Sequence, residues 1–150
     1  MKPIKILICG LSGSGKTTLS KQLSYHFLVP HHNADTYREY YNDYDMSKQG
    51  RYRQAQRMSY EWGILDFICP TAFLRQFVEA DYTIWMDTID NSKYPDTDLI
   101  FEPLVEENVI RIDKWISQEK LAEHLVNFNP GIKGMLSFLN DCMPSLGKMQ

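Results

Sequence analysis

Apolar residues along the chain fall into two kinds of segment, short continuous runs and longer stretches with helical spacing. The continuous runs predict strands buried on both faces, at residues 4–9, 27–32, 62–70, 82–88 and 108–113. The helical spacing predicts helices between them, at about residues 15–25, 51–62, 72–80 and 117–128, with a further helix after Pro130 and Gly131. Ser117 is expected to cap the helix at 117–128. This alternation predicts the α/β class, with a five-stranded parallel sheet covered by helices on both faces.

Two longer segments show neither pattern. Residues 36–50 are polar and rich in tyrosine, so we expect a loop with a short helix that folds over a ligand. Residues 89–106 contain acids and prolines without periodicity and are expected to form a loop. No repeat, low-complexity tract or linker interrupts the chain, so residues 1–150 are predicted to form a single domain.

Composition narrows the function classes. Hydrophobic residues make up 43% of the chain and the formal net charge is −3, which favours a globular protein without general attraction to nucleic acid. No apolar stretch is long enough to span a membrane and the N-terminal run is shorter than a signal peptide, so we expect a cytoplasmic protein. Cys9, Cys69 and Cys142 are widely spaced and predict reduced thiols without a metal site.

The segment GLSGSGKTT, residues 10–18, follows the first predicted strand and opens the first predicted helix. It matches the phosphate-binding P-loop pattern, GxxxxGK followed by Ser or Thr, in which backbone amides and a helix N-terminus surround an anion. The motif predicts binding of ATP with Mg²⁺, with Lys16 on the β- and γ-phosphates and the Thr17 hydroxyl on the metal. The predicted ATP-binding residues are Gly10, Ser12, Gly13, Ser14, Gly15, Lys16, Thr17 and Thr18.

The sequence has no guanine-reading NKxD motif and the chain is small for a motor, so a small-molecule kinase is favoured. Asp35 follows the second predicted strand, where it is expected to orient or deprotonate an acceptor hydroxyl and to contribute to the Mg²⁺ site; a helix N-cap is the alternative. Arg38, one helical turn later, is expected to bind an acidic substrate group. At least one of the later arginines is expected to point into the same cleft; these are Arg51, Arg53 and Arg57.

Six blocks of the sequence resemble the adenylylsulfate kinases, in the order that this family shows. They are GLSGSGKTT, ADTYR, MSKQGRYRQAQRM, FICP, WMDT and KYPDTDLIFEP, within about residues 4–113. That family transfers the γ-phosphate of ATP to the 3′-hydroxyl of adenosine 5′-phosphosulfate. The resemblance therefore implies a P-loop kinase fold, ATP and Mg²⁺ as cofactors, and a small-molecule nucleotide as the acceptor.

The resemblance also implies roles for single residues. ADTYR falls on the family's GDNxR, which places Asp35 near Mg²⁺ and the acceptor hydroxyl and Arg38 on the phosphosulfate. Arg51 falls on a second arginine of the phosphosulfate site and Gln54 on an asparagine that assists it. Catalysis would then depend on Lys16, Asp35 and Arg51. The remaining implied substrate contacts are the backbone near Ile68, the side chains of Met46 and Tyr94 on the two faces of the adenine, and Lys93.

Three departures from the family are evident. Met46 stands where the family has a phenylalanine on the adenine. Asn33 stands at the first acid of the family's DGD, and only IDNS separates WMDT from the KYPD block, where the family carries a helix and a basic lid. The lid normally covers the ATP adenine and helps to exclude water. A polynucleotide 5′-hydroxyl kinase and a nucleotide-binding protein that no longer catalyses therefore remain as alternative hypotheses, although the mild acidity disfavours binding of nucleic acid.

Some residues carry no single interpretation. Asp66 is either an acid that acts on a Mg²⁺-bound water or a buried structural acid. Trp115 and the C-terminal apolar residues are expected to cover one face of the sheet, and a homodimer contact there is left open. His31 and His32 are interpreted as a polar strand end because adjacent residues of a strand point to opposite faces.

Overall fold

Five parallel strands form one sheet in this computed structural model, which describes residues 3–146. The strands are β1 Lys5–Cys9, β2 His31–Asn33, β3 Gly63–Asp66, β4 Tyr82–Met86 and β5 Val109–Ile112. Their order across the sheet is β2-β3-β1-β4-β5, and each neighbouring pair is parallel. The predicted five-stranded parallel sheet is confirmed. The ends of the predicted single domain, residues 1–2 and 147–150, lie outside the described part.

Helices connect the strands and cover both faces of the sheet. They are α1 Lys16–Phe27, α2 Ala34–Tyr41, α3 Lys48–Ser59, α4 Ala72–Val78, α5 Pro95–Ile100, α6 Gln118–Leu125, α7 Ile132–Asp141 and α8 Met143–Leu146. The predicted cap of α6 is confirmed, because the Ser117 side chain accepts a hydrogen bond from the Lys120 amide at 3.1 Å. None of the helices between residues 3 and 146 is long and apolar enough to cross a membrane.

Alternate residues of the central strands pack into two separate cores. On one face, Ile6 and Ile8 of β1 pack with α1, α6, α7 and α8; on the other, Leu7 and Cys9 pack with α3 and α4. All four β1 residues are fully buried. A strand buried on both faces reads as a continuous apolar run, which is why the sequence pattern located β1 correctly.

Three of the element boundaries that differ from the prediction have a clear physical reason. Phe27 belongs to α1 rather than to a strand, since it continues the buried helical stripe of Leu19 and Leu23 and the helix ends only at Leu28, which has φ 58°. The strand β2 is therefore short and begins at His31. The third strand ends at Asp66 instead of residue 70, and Cys69 has φ 45°, which a strand residue does not adopt.

The segment 89–106 is not entirely a loop, because it contains α5. This helix has only six residues and begins with Pro95 at its first position, so it is too short to show periodicity in the sequence. Asp98 accepts hydrogen bonds from the Ser92 amide at 2.8 Å and the Ser92 hydroxyl at 2.6 Å, which tie the preceding loop to the helix. The helix carries Thr97 and its N-cap Tyr94 toward the edge of the sheet described next.

Candidate active site

The P-loop connects the end of β1 to the start of α1, at the edge of the sheet where all five strands have their carboxyl ends. Gly10 has φ 146°, and a Cβ added there would lie 2.6 Å from the Met86 carbonyl oxygen, so only glycine fits. The Ser14 amide donates to the Leu11 carbonyl at 3.1 Å, and the Thr88 hydroxyl donates to the Ser14 carbonyl at 2.7 Å. These contacts hold the loop in a compact turn.

Lys16 is the first residue of α1 and lies largely buried in the P-loop, with 8% of its surface exposed. Its Nζ donates to the Leu11 carbonyl at 2.9 Å. Burial lowers the pKa of Lys16 below its ordinary value, and the nearby carboxylates of Asp66 and Asp35 oppose that shift. A bound phosphate would supply further negative charge to this ammonium group, so the position suits the predicted role.

Asp66, the last residue of β3, contacts polar side chains of α1 and β2. Its Oδ2 accepts hydrogen bonds from the Thr17 hydroxyl at 2.9 Å and the Asn33 amide at 3.0 Å, and it lies 3.0 Å from His31 Nε2. The register explains this meeting, because Asn33 pairs with Asp66 across the two strands. Asp66 is 1% exposed yet lines the cavity. The structure thus places it against Thr17, which is the predicted metal ligand.

Asp35 lies in the first turn of α2 and is exposed, with its side chain lining the cavity. The helix cap is Asn33, whose side-chain oxygen accepts from the Asp35 amide at 2.8 Å, so the alternative interpretation of Asp35 as the N-cap is wrong. Asn33 serves both as the cap of α2 and as a donor to Asp66.

The donor set around Thr17 fits Mg²⁺ delivered with a nucleotide. Within residues 3–146 no three His, Cys, Asp or Glu side chains are arranged to hold a metal by themselves. Mg²⁺ usually keeps several waters and takes one or two protein oxygens in addition to substrate phosphates. The Thr17 hydroxyl would be a direct ligand, and the carboxylates of Asp66 and Asp35 would hold its waters.

One cavity of about 700 Å³ contains most of the predicted site, and its volume is in the range of small-molecule sites. The predicted residues that line it are Ser12, Gly13, Gly15, Lys16, Thr17, Thr18, Asp35, Arg38, Met46, Arg51, Gln54, Ile68, Lys93 and Tyr94. Gly10 and Ser14 belong to the same loop but do not line the cavity, because both residues are buried. Their predicted contact with ATP would therefore be indirect.

Cationic side chains line the half of the cavity that lies toward α2, α3 and α5. Arg38 donates to the Gln54 side-chain oxygen at 2.9 Å, and Arg51 donates to the Thr97 hydroxyl at 3.1 Å. Burial lowers the pKa of Arg38 below its ordinary value. Lys93 Nζ lies 5.2 Å from the centre of the Tyr94 ring. This half of the cavity is therefore suited to an anionic ligand with an aromatic group.

Of the three arginines of α3, Arg51 lines this cavity, as the prediction required of at least one. Arg53 contacts Asp43 at 3.0 Å and Asp45 at 2.9 Å, and Arg57 contacts Asp43 at 3.0 Å. The hydrogen bonds from Arg53 hold the pKa of Asp43 well below its usual range. These ion pairs fasten the segment 43–46, which carries Tyr44 and Met46 into the cavity.

Several cavity residues were not predicted from the sequence to belong to the site: Asn33, Ala34, Tyr44, Phe67, Pro70, Thr97 and Trp115. Asp66, which also lines the cavity, was left open between an acid at the metal and a structural acid. Its sequence signal is an acid at the end of a buried strand beside the P-loop strand. The expectation that Trp115 covers a sheet face is wrong, since 59% of its surface is exposed and it lies beside Gly15 instead.

Substitution of Asp66 by asparagine is expected to weaken binding of Mg²⁺-ATP by about 10- to 100-fold, because outer-shell partners of a metal have effects of that size. Asparagine keeps the shape of the side chain but removes the charge. Calorimetry with Mg²⁺ and with EDTA measures the effect, and affinity for metal-free ATP should change much less. Equal losses with and without Mg²⁺ would mean that Asp66 is only structural.

The sequence matches no protein-family profile, and no curated protein matches it significantly. Solved structures do match. The APS kinase of Mycobacterium tuberculosis in complex with AMPPNP and APS is 18% identical with a TM-score of 0.66, covering 85% of this chain and 98% of its own. An unliganded sugar kinase from Janibacter sp. HTCC2649 is 14% identical with a TM-score of 0.67. The match covers 97% of this chain and 98% of the sugar kinase. A gluconokinase from Sinorhizobium meliloti 1021 is 11% identical with a TM-score of 0.58. The match covers 93% of this chain and 95% of the gluconokinase. Together with the sheet order and the P-loop, these likenesses show that the chain has the α/β P-loop kinase fold.

Proposed function

We propose that this protein is an ATP-dependent kinase that transfers the γ-phosphate of ATP to the 3′-hydroxyl of adenosine 5′-phosphosulfate. The observation that carries the proposal is the shared cavity, in which the P-loop faces a group of three cations, Arg38, Arg51 and Lys93. A donor triphosphate and an anionic acceptor can therefore occupy one cavity, which is the requirement for direct transfer.

The proposed reaction depends mainly on placement and on neutralisation of charge. The P-loop amides and Lys16 would hold the β- and γ-phosphates. Thr17 would hold the metal directly, and Asp66 and Asp35 would hold its waters. Bound Mg²⁺ would offset the negative charge of the phosphates. Asp35 would accept a hydrogen bond from the acceptor hydroxyl and take its proton as the oxygen attacks. Arg51 would stabilise charge on the transferring phosphoryl group.

The residues at the acceptor end of the cavity favour a nucleotide with a charged 5′ group as the substrate. Arg38 and its partner Gln54 would bind the phosphosulfate with Arg51, because a guanidinium can donate two parallel hydrogen bonds to such a group. Met46 and Tyr94 are partly exposed and line the same cavity, so they would pack on the two faces of the base. Ile68 and Lys93 would complete the substrate contacts.

Support for adenosine 5′-phosphosulfate over another anionic alcohol comes from the sequence blocks. The blocks ADTYR, MSKQGRYRQAQRM and KYPD resemble the adenylylsulfate kinases, and all three contribute residues to the cavity. One similar structure is an APS kinase that was solved with AMPPNP and APS. A sugar kinase has the same fold, so the fold alone does not identify the acceptor. The acceptor is therefore tested by experiment.

An acceptor screen tests the proposal by coupled ADP release. Purified protein with ATP and Mg²⁺ is given adenosine 5′-phosphosulfate, gluconate or a 5′-hydroxyl oligonucleotide. We expect release of ADP with adenosine 5′-phosphosulfate alone, and a rate about 10²–10³-fold lower from Lys16→Ala protein. Turnover of the oligonucleotide with adenosine 5′-phosphosulfate inert would overturn the proposal in favour of a polynucleotide kinase. Binding of ATP without turnover of any acceptor would favour a nucleotide-binding protein that no longer catalyses.

A further inference from the structure

The helix α5 buries a polar residue and exposes its apolar ones. Thr97 is the one buried residue of this helix, with 3% of its surface exposed, whereas Leu99 is 85% exposed and Ile100 is also on the surface. Hydrophobic packing alone would favour the opposite orientation of the helix, because apolar side chains gain most from burial. The orientation of α5 therefore indicates that the Thr97 side chain is needed at the cavity, which it lines.

The Thr97 hydroxyl accepts a hydrogen bond from Arg51 Nη2 at 3.1 Å. Arg51 lies on α3 and Thr97 on α5, so this bond joins two of the elements that form the acceptor half of the cavity. The acids on either side of Thr97 do not take its place. Asp98 accepts from the amide and the hydroxyl of Ser92, and Asp96 is exposed and does not line the cavity. Arg51 is thus held by a neutral oxygen.

The arginines of the cavity differ from the other arginines of the chain in their partners. Arg38, like Arg51, donates to a neutral oxygen, the side-chain amide oxygen of Gln54. Neither of them makes an ion pair with a residue of the described part of the chain. Each arginine outside the cavity does make one; these are Arg53, Arg57, Arg75 and Arg111. A neutral partner fixes a guanidinium without neutralising it, so the charge stays available to an anionic ligand.

The two guanidinium groups lie near each other. Burial lowers the pKa of Arg38, the positive charge of Arg51 acts in the same direction, and the Asp35 carboxylate opposes the shift. Two neighbouring cations repel each other, so each of them needs a partner that fixes its position until an anion binds. Gln54 is that partner for Arg38, and Thr97 is that partner for Arg51.

The fold around α5 holds the Thr97 side chain in place. The amides of Thr97 and Asp98 donate to the Tyr94 carbonyl at 3.1 Å and 3.0 Å, and the Glu102 amide donates to the Pro70 carbonyl at 2.7 Å. Threonine is branched at Cβ and has few rotamers, whereas arginine has many. The buried hydroxyl is therefore a fixed acceptor for a long and flexible side chain.

We propose that Thr97 is a positioning residue for Arg51: its hydroxyl fixes the guanidinium toward the bound acceptor and leaves the positive charge of Arg51 uncompensated. This inference rests on the acceptor half of the proposed function. Without the hydroxyl, Arg51 regains its rotamers, and the acceptor must order the side chain when it binds. A displaced guanidinium also stabilises the transferring phosphoryl group less well.

Substitution of Thr97 by valine tests this inference, because valine keeps the branched shape and removes the hydroxyl. Thr97→Val is expected to lower kcat/KM for the acceptor by about 10- to 100-fold, the size expected for a hydrogen bond to a charged group. Its affinity for ATP, measured by calorimetry, should be unchanged. Thr97→Ser keeps the hydroxyl and should retain most of the activity. Thr83→Val is the matched control, because Thr83 lies on β4 and does not line the cavity, and it should match the wild type.

A double-mutant cycle with Arg51→Gln separates positioning from a purely structural role. If Thr97 acts through Arg51, Thr97→Val should cause little further loss of kcat/KM once Arg51 is already replaced, because the effects of two residues in contact are not additive. The same loss in both backgrounds would overturn the inference, as would a wild-type kcat/KM in Thr97→Val or a Thr97→Ser variant as impaired as Thr97→Val.

Crystal structures with inorganic sulfate give a readout that needs no turnover. In the wild type we expect Arg51 to keep its bond to Thr97 and to contact sulfate together with Arg38, and in Thr97→Val the guanidinium should leave this position. An Arg51 side chain in the same position in both structures would overturn the inference. A displaced Arg51 in Thr97→Val, with wild-type protein that does not turn over adenosine 5′-phosphosulfate, would reject the proposed acceptor and leave this inference standing.

Discussion

Replacement of Lys16 with alanine is expected to lower the rate of phosphoryl transfer by about 10²–10³-fold, the usual loss when one positioned charge-stabilising donor is removed. The Lys16 ammonium lies at the mouth of the P-loop, where the transferring phosphoryl group would gain negative charge. Burial of the side chain strengthens this interaction, because the local dielectric is lower than that of water. The measurement is the initial rate of ADP release with ATP, Mg²⁺ and acceptor.

Lys133→Ala is the matched control for this experiment. Lys133 is exposed on α7 and does not line the cavity, so its removal should leave the rate unchanged. The thermal midpoint of both variants should be measured, since loss of activity through unfolding would lower it. A Lys16→Ala protein that folds normally and retains the wild-type rate would contradict the assignment of the P-loop as the donor site.

Replacement of Arg75 with leucine is expected to destabilise the protein by about 3 kcal/mol, the lower end of the range for breaking a buried ion pair. The Arg75 side chain is 3% exposed and lies 3.0 Å from the Glu106 carboxylate, which is 32% exposed. Arg75 also donates to the carbonyl oxygens of Cys69 at 3.1 Å and Glu102 at 3.0 Å. The variant removes the Arg75 hydrogen bonds to the Glu106 carboxylate and to the carbonyl oxygens of Cys69 and Glu102. Cys69 is buried, and a buried acceptor that loses its partner destabilises the fold.

The thermal midpoint of Arg75→Leu should fall by about 6–12 °C for a chain of this length. Arg111→Leu is the control, because Arg111 also makes ion pairs but is 55% exposed, and its loss should cost less than about 1 kcal/mol. Equal thermal midpoints for Arg75→Leu and Arg111→Leu would contradict the claim that a buried arginine contributes more stability than an exposed one. Through Cys69 and Glu102, Arg75 connects the segment 68–70 to the chain that follows α5. Ile68 and Pro70 line the cavity, so the loss of Arg75 should also raise the KM for the acceptor.

The parts of the structure that follow from local pattern were predicted correctly. Buried strands such as β1 read as continuous apolar runs, and the P-loop is recognisable because one short motif combines the strand end, the glycines and the helix start. Ser117 was identified as a cap because capping involves residues only three positions apart. In each case the interacting residues are neighbours in the chain.

The parts that depend on residues distant in sequence were predicted less well. Asp66 meets Asn33 through strand register, which periodicity cannot supply, and both interpretations of Asp66 stayed open. Trp115 was interpreted as a core residue because a tryptophan in a short loop carries no sign of its exposure; in fact Ile116 packs inward and Trp115 points to the P-loop. The proposed acceptor residues were chosen mainly by resemblance to a family, since single arginines have no pattern that separates a binding site from a solvated surface.

The most direct measurement of the proposed function compares adenosine 5′-phosphosulfate with its 3′-deoxy analogue as acceptors, following ADP release and the phosphorylated product. The two compounds present the same phosphosulfate and base to Arg38, Arg51 and Tyr94, and only the first has the hydroxyl that Asp35 would activate. We predict that ADP and 3′-phosphorylated product form in equal amounts with adenosine 5′-phosphosulfate and that neither forms with the analogue. Equal ADP release with both compounds, or none with either, would contradict the proposed reaction.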